Sequence, residues 1–510
     1  MDADQIFQDI NSLIRQHEAY ELMNHLQHWL YHPNATSVER LLCYEYWHLL
    51  LLFKWVIRFG DYRESQNHES VTDTHIDTLF DHLKDLSEKV FALQTQRDLY
   101  CFYRVMAVQQ FWVQRKESVL LGWGRQAFLF SDLEPKHTIR KLFKGSVGLD
   151  IDDFLELSCC LFLHFQPNNH RHVTVSTFSP LYDWFGREKI LQWLRAISSS
   201  VSTLQDWLQH TDDGKPMAYR GVESEYYEQT PLLRYPLIEA RDYFILTSPH
   251  VLHASLSSVV YDILRDYKTK ARFMDSFGKR FENYVREVLS VLSCPLFTEY
   301  DVRDYLNAGE GQKLVDFLAI DKGNNIFIET KGVALSWKGT ISTRAGTLRN
   351  ESESSVLKGI EQAYDVAASL AGKTEINGCT LGTRRNFLLV ITYKDMYIGS
   401  GKNFRDFIAT EEVDRIISAH NDEELIPLSN IFVIAVDDLE IMLGDILNSN
   451  LSLSDFLEHA ADHNPQDLSR TLAFRNITAA VSGRQRITEL PLLTNARDEL
   501  FARVEMRFQN

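Results

Sequence analysis

The chain has 510 residues with 45% hydrophobic side chains, so it can form about two to four domains with buried cores. Its formal charge of −17 at pH 7 excludes a uniformly basic surface, and any contact with nucleic acid must come from a local basic patch. Six cysteines without a CxxC pair exclude a disulfide scaffold, and neither a signal peptide nor a membrane span is indicated, so we expect a cytoplasmic protein without membrane contacts.

The first part of the chain has the spacing of amphipathic helices. Apolar residues recur at intervals of three and four, and no strand-like alternation stands out. We therefore expect an all-α accessory or sensor domain over residues 1–220, which ends in the polar, glycine-bearing linker Thr211–Gln229. The segments with helical spacing are Ile6–Ile14, Tyr20–Tyr31, Val38–Phe59, Ile76–Leu93, Asp98–Val113 and Phe154–Phe165.

After the linker, short strand patterns alternate with helical ones. This order predicts an α/β domain over residues 221–450, a mixed sheet with helices on its faces, followed by a helical extension over residues 451–510. The predicted elements are a hairpin (Leu232–Ile238 and Tyr243–Thr247), helices over Val251–Tyr267 and Ser276–Leu292, a strand over Leu296–Val302, two strands within Lys313–Gly332, a polar loop over Ser336–Ser355, a helix over Val356–Leu370, strands over Phe387–Tyr393 and Asn430–Val436, and a helix that opens at Asp437.

The stretch Lys313–Gly332 combines a hairpin pattern with charged residues inside apolar strands. Two apolar strands flank a turn-forming run, with Asp316 on the first strand and Glu329 and Lys331 on the second. Side chains two apart on a strand share a face, so Asp316 can meet Glu329 and Lys331 across the hairpin. Charges inside apolar strands are costly unless they bind something, and this set suits a divalent metal beside a phosphate.

With these elements in place, Phe273–Val436 resembles the PD-(D/E)XK nuclease superfamily, which has the restriction-endonuclease-like fold. In that family a helix with a glutamate precedes the core, an aspartate ends the second strand, and an (E/D)xK tripeptide lies on the third. The matching residues are Glu282, Asp316 and Glu329-Thr330-Lys331, while Val315 replaces the proline of the family's name. The family's next helix often carries a lysine or glutamine that faces the site, and Lys358 and Gln362 match these.

This resemblance implies an endonuclease that depends on Mg²⁺ or Mn²⁺. Asp316, Glu329 and Glu282 would bind the metal together with the backbone carbonyl of Thr330, because Mg²⁺ prefers hard oxygen ligands. Lys331 would orient or deprotonate the attacking water and offset negative charge on the phosphate. The implied reaction is hydrolysis of phosphodiester bonds in nucleic acid, DNA rather than RNA.

A local excess of basic residues follows Lys331. Lys338, Arg344, Arg349 and Lys358 would contact the phosphates of the substrate, because this loop leaves the strand that carries Lys331. The arginines of residues 470–510 are a second basic set, for which solvated side chains without a ligand are the alternative. Accessory domains fused to such nucleases resemble prokaryotic antiviral defence effectors, so a protein activator or partner subunit is expected, and cleavage of both strands would favour a homodimer. The alternative function is a non-catalytic protein that keeps the nuclease fold to bind nucleic acid or to assemble a complex.

Overall fold

The chain folds into two compact units. A computed structural model describes residues 2–31, 45–63, 68–91, 93–114, 118–131, 133–168, 170–209, 221–266, 270–420, 425–463, 472, 474–483 and 487–509. The first unit comprises Met1–Gln94, Val108–Lys270 and Ala496–Asn510, and the second comprises Thr95–Ala107 and Ala271–Asn495. Both units contain helices and strands, which confirms the α/β class.

The first unit is mostly helical and includes a small sheet. The sheet has four strands in the order His172–Val173, Tyr243–Leu246, Leu237–Ala240 and Ser198–Ser200. Its helices are Ala3–Gln16, Ala19–Leu30, Tyr46–Phe59, Asp73–Ser87, Ser118–Gln126, Thr138–Val147, Ile151–Asn168, Tyr182–Phe185, Arg187–Ile197, Val201–Gln209, Val222–Tyr227, Pro249–Leu256 and Val259–Asp266, with a π-helical turn at Ala127–Ser131 and 3₁₀ turns at Val175–Leu181 and Pro231–Leu233.

The prediction of an all-α domain before residue 220 is wrong. His172–Val173 and Ser198–Ser200 lie in that range and belong to the sheet. Strands of two and three residues are too short to give a readable alternation of apolar and polar side chains. The predicted helix Val251–Tyr267 is two helices in the structure, Pro249–Leu256 and Val259–Asp266.

The boundaries of the compact units differ from the predicted domain boundaries. The segment 221–266, expected in the nuclease domain, packs in the first unit, where its hairpin completes the sheet. Buried ion pairs hold this segment as well, because Lys54 lies 3.2 Å from Glu228 and Arg58 lies 2.5 Å from Glu225. Of the predicted extension 451–510, only the residues from Ala496 onward belong to the first unit.

The second unit is organised around a six-stranded sheet. Its strands are β1 (Leu296–Thr298), β2 (Phe317–Asp321), β3 (Asn324–Lys331), β4 (Asn386–Thr392), β5 (Gly399–Ser400) and β6 (Ile431–Ala435), in the spatial order β5-β6-β4-β3-β2-β1. Strand β2 is antiparallel to β1 and β3, whereas β4 is parallel to β3 and β6. The sheet is therefore mixed, as predicted.

A tight turn fixes the register of the β2–β3 hairpin. Phe317 pairs with Ile328, and Asp321 pairs with Asn324. Lys322 and Gly323 between them have φ angles of 49° and 81°, and two positive φ angles in a two-residue loop match the right-handed twist of the strands. The hairpin predicted within Lys313–Gly332 is confirmed.

Five helices of the second unit matter for the site. They are α1 (Lys270–Leu289), α2 (Glu299–Leu306), α3 (Ala345–Ser352), α4 (Lys358–Leu370) and α5 (Val436–Leu447). Helix α4 connects β3 to the parallel strand β4, and α5 follows β6. The remaining elements are helices Trp337–Thr340, Gly401–Phe407, Thr410–His420, Leu453–Asp462 and Phe474–Ser482, a π-helical turn at Glu353–Leu357, a 3₁₀ turn at Leu428–Asn430, and a hairpin of Glu375–Ile376 with Cys379–Thr380. Helices Gln96–Gln114 and Pro491–Gln509 have residues in both units, and so does α1, whose first residue, Lys270, belongs to the first unit.

Three predictions for the second unit need correction. The strand predicted over Leu296–Val302 ends at Thr298, where a capping box with Asp301 begins α2. Ser276 lies inside α1 and is not its N-cap, because the helix already begins at Lys270. The predicted loop Ser336–Ser355 is largely helical, and its polar helices bury too few apolar residues to give a clear helical period.

The described residues contain neither a membrane span nor a disulfide bond. None of the helices in the described part is long and apolar enough to cross a bilayer. No disulfide bond joins any of the five cysteines of the described ranges.

Candidate active site

The open end of the β2–β3 hairpin brings Asp316 next to Glu329 and Thr330. Because Phe317 pairs with Ile328, the residue before β2 comes opposite Glu329. The backbone N–H and the hydroxyl of Thr330 both donate to Oδ2 of Asp316, each at 2.6 Å. Asp316 lies one residue before β2 and not on the strand as predicted, and its carbonyl accepts from the N–H of Glu299 at 2.8 Å, next to the β1–β2 pairing.

Glu329 is a buried carboxylate with one satisfied oxygen. Its side chain pairs with Lys331, whose Nζ lies 2.5 Å from Oε1, and the residue is only 2% exposed. Its Oε2 is buried and has no hydrogen-bond partner among the residues that the structure describes. Burial raises the pKa of Glu329 to about 8, and the charge of Asp316 adds to this, although Lys331 opposes it.

Glu282 and Glu299 are two further carboxylates whose charges act on this site. Burial raises the pKa of Asp316, and the charge of Glu299 raises it further, against the opposing effects of Thr330 and Lys331. Burial, followed by the charges of Asp316 and Glu299, also raises the pKa of Glu282 on α1. Helices α1 and α2 thus each add a carboxylate to the end of the hairpin.

The sequence prediction missed Glu299. It is the first residue of α2, which begins there because Thr298 accepts from the N–H of Asp301 while Asp301 accepts from Thr298. This reciprocal pattern is a capping box, and T-x-x-D at 298–301 was a readable signal for a helix start. The apolar residues Leu296 and Phe297 favoured a strand that continued through this segment, and this obscured the signal.

Helix α4 covers the Glu329 side of β3. A Cβ atom at Gly359 would lie 3.2 Å from Cγ of Glu329, so glycine lets the helix backbone approach this closely without displacing the Glu329 side chain. Gln362, one turn further, donates to the carbonyl of Leu314 at 2.7 Å, while its Oε1 is buried without a partner in the described ranges. Gln362 therefore holds the chain just ahead of Asp316.

Two lysines lie together beside Glu329. The pKa of Lys358, at the start of α4, is lowered chiefly because the Lys313 amine lies within hydrogen-bonding distance, and Lys331 lowers it further while Glu329 opposes the effect. Lys313, which the sequence prediction did not assign to the site, is exposed. Adjacent ammonium groups repel each other, so this pair would gain from an anion bound between them.

The other predicted nucleic-acid contacts are less clearly placed at the site. Arg349 on α3 forms an ion pair with Glu412 at 3.0 Å, and Arg344, which precedes α3, is exposed. The side chain of Lys338 lies outside the described residues. The charge of Glu329 acts on the pKa of Lys358, which places this predicted contact beside the site.

The chemistry of the donors fits a hard divalent cation. Glu329 offers a buried oxygen without a partner among the described residues, and Asp316 and Glu282 raise each other's energy through like charge, which a cation would offset. Among the described residues, no group of three or more His, Cys, Asp or Glu side chains is already arranged to hold a metal. Lys331 and Thr330 occupy oxygens of Glu329 and Asp316, so a metal that used these oxygens would displace those contacts.

Comparison with known proteins gives no match to this chain, whether against protein-family models, curated proteins or solved structures.

Proposed function

We propose that the second unit is a metal-dependent nuclease that hydrolyses phosphodiester bonds of nucleic acid, DNA rather than RNA. The observation that carries this proposal is the buried Glu329 carboxylate, which has Lys331 on one oxygen and no partner in the described ranges on the other. A buried carboxylate costs stability unless a cation or a hydrogen bond compensates it. A site that binds Mg²⁺ or Mn²⁺ accounts for this cost.

The topology of the sheet supports a restriction-endonuclease-like fold. Glutamate-bearing helix α1 precedes the antiparallel strands β1, β2 and β3, and α4 then leads to the parallel strand β4. Asp316 and the tripeptide Glu329-Thr330-Lys331 lie on adjacent chain segments at one end of this sheet. This is the arrangement that the resemblance to PD-(D/E)XK nucleases implies.

Each residue has a role that follows from its contacts. Asp316, Glu329 and Glu282 would hold the metal, which supplies charge neutralisation at the scissile phosphate and lowers the pKa of water. Thr330 orients Asp316 through two hydrogen bonds from its amide and hydroxyl, and its backbone carbonyl would be a further ligand of the metal. Lys331 is next to Glu329 and can orient the attacking water or stabilise charge on the phosphate.

Cleavage assays on the full chain test the proposal. Plasmid, linear and single-stranded DNA and RNA are incubated with Mg²⁺, Mn²⁺ or a chelator, using wild type, Glu329→Gln and Lys331→Met. We expect metal-dependent cleavage by wild type and a loss of at least about 100-fold in each variant, as for removal of a group that acts in the transition state. Glu353→Gln and Lys402→Met, which change exposed residues of the same unit, serve as controls.

Activity that persists in both site variants would reject the assignment of the site. Cleavage lost equally in the two control variants would point to damage to the fold instead of the chemistry. Comparable thermal unfolding of all variants separates these cases.

A non-catalytic nucleic-acid-binding protein is the second candidate. The observation that favours it is the ion pair in which Lys331 already occupies an oxygen of Glu329. This reading predicts a shift of DNA in gels with an affinity that is independent of the metal, and no cleavage under any condition.

We also propose that the nuclease serves as a defence effector that needs an activator. The net charge of −17 supports the need for an activator, because it opposes unassisted binding to nucleic acid, and the defence role is proposed from the resemblance in domain architecture. Plaque counts of phage on cells that express wild type or Glu329→Gln test it, with protection expected for wild type alone.

A further inference from the structure

A cavity lies at the end of the strands opposite to the candidate active site. It has a volume of about 600 Å³ and is lined by residues of the second unit, among them Asn325 near the start of β3. Lys331 ends β3, six residues further on, which corresponds to about 20 Å along a strand. The cavity is therefore separate from the site around Glu329.

The floor of the cavity is a network of asparagine amides. Nδ2 of Asn325 donates to Oδ1 of Asn386 at 2.9 Å and to the carbonyl of Gly382 at 3.0 Å. Nδ2 of Asn430 donates to the carbonyl of Asn386 at 3.0 Å. These contacts tie together the starts of β3 and β4 and the turn before β6, so the floor is polar and preorganised.

The rim of the cavity is cationic. Lys373, Arg384 and Arg385 line it, and among the described residues of the lining Asp462 is the one carboxylate. Nη1 of Arg384 pairs with Glu458 at 3.1 Å, and Nη1 of Arg385 pairs with Asp462 at 2.7 Å. A guanidinium has five N–H donors, so each arginine retains donors for an anion, and their side chains are 56% and 40% exposed.

One wall of the cavity is apolar. Phe327 of β3, Ala367 and Leu370 of α4, and Leu381 line it, and each is nearly fully buried. A bare inorganic anion would gain nothing from such a wall. A cavity of this size that combines an apolar wall, amides and cations resembles sites for organic ligands with an anionic group.

We propose that this cavity binds a small phosphate ester of nucleotide size. The arginine pair would hold the phosphate, because guanidinium groups match phosphate oxygens with paired hydrogen bonds. The organic part would lie against Phe327 and Leu370, and its polar edge would meet the asparagine floor. The inference does not depend on nuclease activity, because the cavity shares none of its lining with Asp316, Glu329 or Lys331.

Calorimetric titration of the full chain with four probes tests the proposal. The probes are AMP, GMP, adenosine and inorganic phosphate, in a metal-free buffer. We expect saturable binding of at least one nucleotide, at least about tenfold tighter than adenosine or inorganic phosphate, since a nucleotide alone engages both the rim and the wall. Inorganic phosphate that binds as tightly as both nucleotides would overturn the proposal, and so would no saturable binding of AMP or GMP.

Two variants of the cavity and two controls test where the nucleotide binds. Arg384→Gln and Arg385→Gln should each weaken nucleotide binding about tenfold or more. Arg405→Gln is the matched control, because Arg405 is 38% exposed and pairs with Asp414 at 2.7 Å, much as Arg385 pairs with Asp462. Glu329→Gln should bind the nucleotide like wild type.

Hydrogen exchange gives a second measurement that does not rely on substitutions. Bound nucleotide should slow amide exchange in residues 379–386 and leave residues 399–407 unchanged. Binding that is lost in Glu329→Gln but kept in both arginine variants would place the nucleotide at the other site and reject the cavity. The same conclusion would follow if the nucleotide left exchange in 379–386 unchanged.

Discussion

The ammonium of Lys331 lies 2.5 Å from one oxygen of Glu329, while the other oxygen of Glu329 is buried without a hydrogen-bond partner in the described part of the chain. Burial and the nearby charge of Asp316 outweigh the attraction of Lys331, since the pKa of Glu329 is raised to about 8. Burial of this carboxylate therefore lowers the free energy of unfolding. Such a cost is typical of functional sites.

The first prediction is that Glu329→Gln stabilises the metal-free protein while it abolishes hydrolysis. Glutamine has nearly the same shape but no charge to desolvate, so the free energy of unfolding should rise by roughly 1–3 kcal/mol at pH 8. Thermal unfolding in a chelator measures this effect. Glu353→Gln, at an exposed position, should change neither property. A destabilised Glu329→Gln would mean that the ion pair with Lys331 outweighs the desolvation of the carboxylate.

The local features of the hairpin could be predicted from the sequence. Apolar strands on both sides of Asp321–Asn324 fix a tight turn, and the turn fixes the register. Given that register, the spacing from Asp316 to Glu329 brings the two side chains to the same end. Only backbone geometry over some 15 residues is needed for this inference, and sequence patterns carry such short-range information well.

The packing partners of helices could not be predicted in the same way. Helix Gln96–Gln114 was expected in the accessory domain, yet Thr95–Ala107 belongs to the second unit. A helical period shows which face of a helix is apolar but not which surface covers it. The contacts of Lys313 with Lys358 and of Gln362 with Leu314 also join elements that are distant in sequence, so no local pattern reveals them.

The second prediction concerns two helical glycines of the second unit. Gly359→Ala should lower both the hydrolysis rate and the free energy of unfolding, the latter by about 1 kcal/mol, because the new Cβ would lie 3.2 Å from Cγ of Glu329 and 3.3 Å from Val390. Gly346→Ala on α3 is the control. No described atom lies within 4 Å of its new Cβ, so the substitution should stabilise the protein by about 0.5–1 kcal/mol. Equal effects of the two substitutions would show that α4 does not constrain Glu329.

The third prediction is a loss of stability in acid that depends on His253. The ring lies 4.4 Å from that of Phe162, and burial, followed by the charge of His250, lowers the pKa of His253 to about 4. The folded state thus binds fewer protons than the unfolded state, whose histidine has a pKa near 6.5. The contribution of His253 is complete above pH 6.5 and is lost as the pH falls to about 4, at a cost on the order of 3 kcal/mol.

Melting temperatures between pH 4 and pH 7 measure this contribution. His253→Leu should flatten the acid side of the profile, whereas His463→Leu, at an exposed position, should leave the profile unchanged. An unaltered slope in His253→Leu would contradict the prediction.

The fourth prediction is that Arg104 stabilises the conformation of residues 336–345, which follow β3 and Lys331. Its side chain is fully buried and donates to the carbonyls of Ser342 and Gly339, each at 3.1 Å. Arg104→Met would leave both carbonyls without these donors, so we expect a loss of about 1–3 kcal/mol, faster amide exchange in residues 336–345 and slower hydrolysis. Arg303→Met is the control for stability and exchange, because Arg303 also donates to two carbonyls, of Gly309 and Gln312, but is partly exposed. Hydrolysis is not compared in this variant, because Arg303 also pairs with Glu299 of the candidate site. Water can replace its hydrogen bonds, so that variant should lose less stability and keep the exchange of 336–345. Unchanged exchange in Arg104→Met would show that the segment is held by its own helices, and the effect of Arg104 on hydrolysis should then be absent as well.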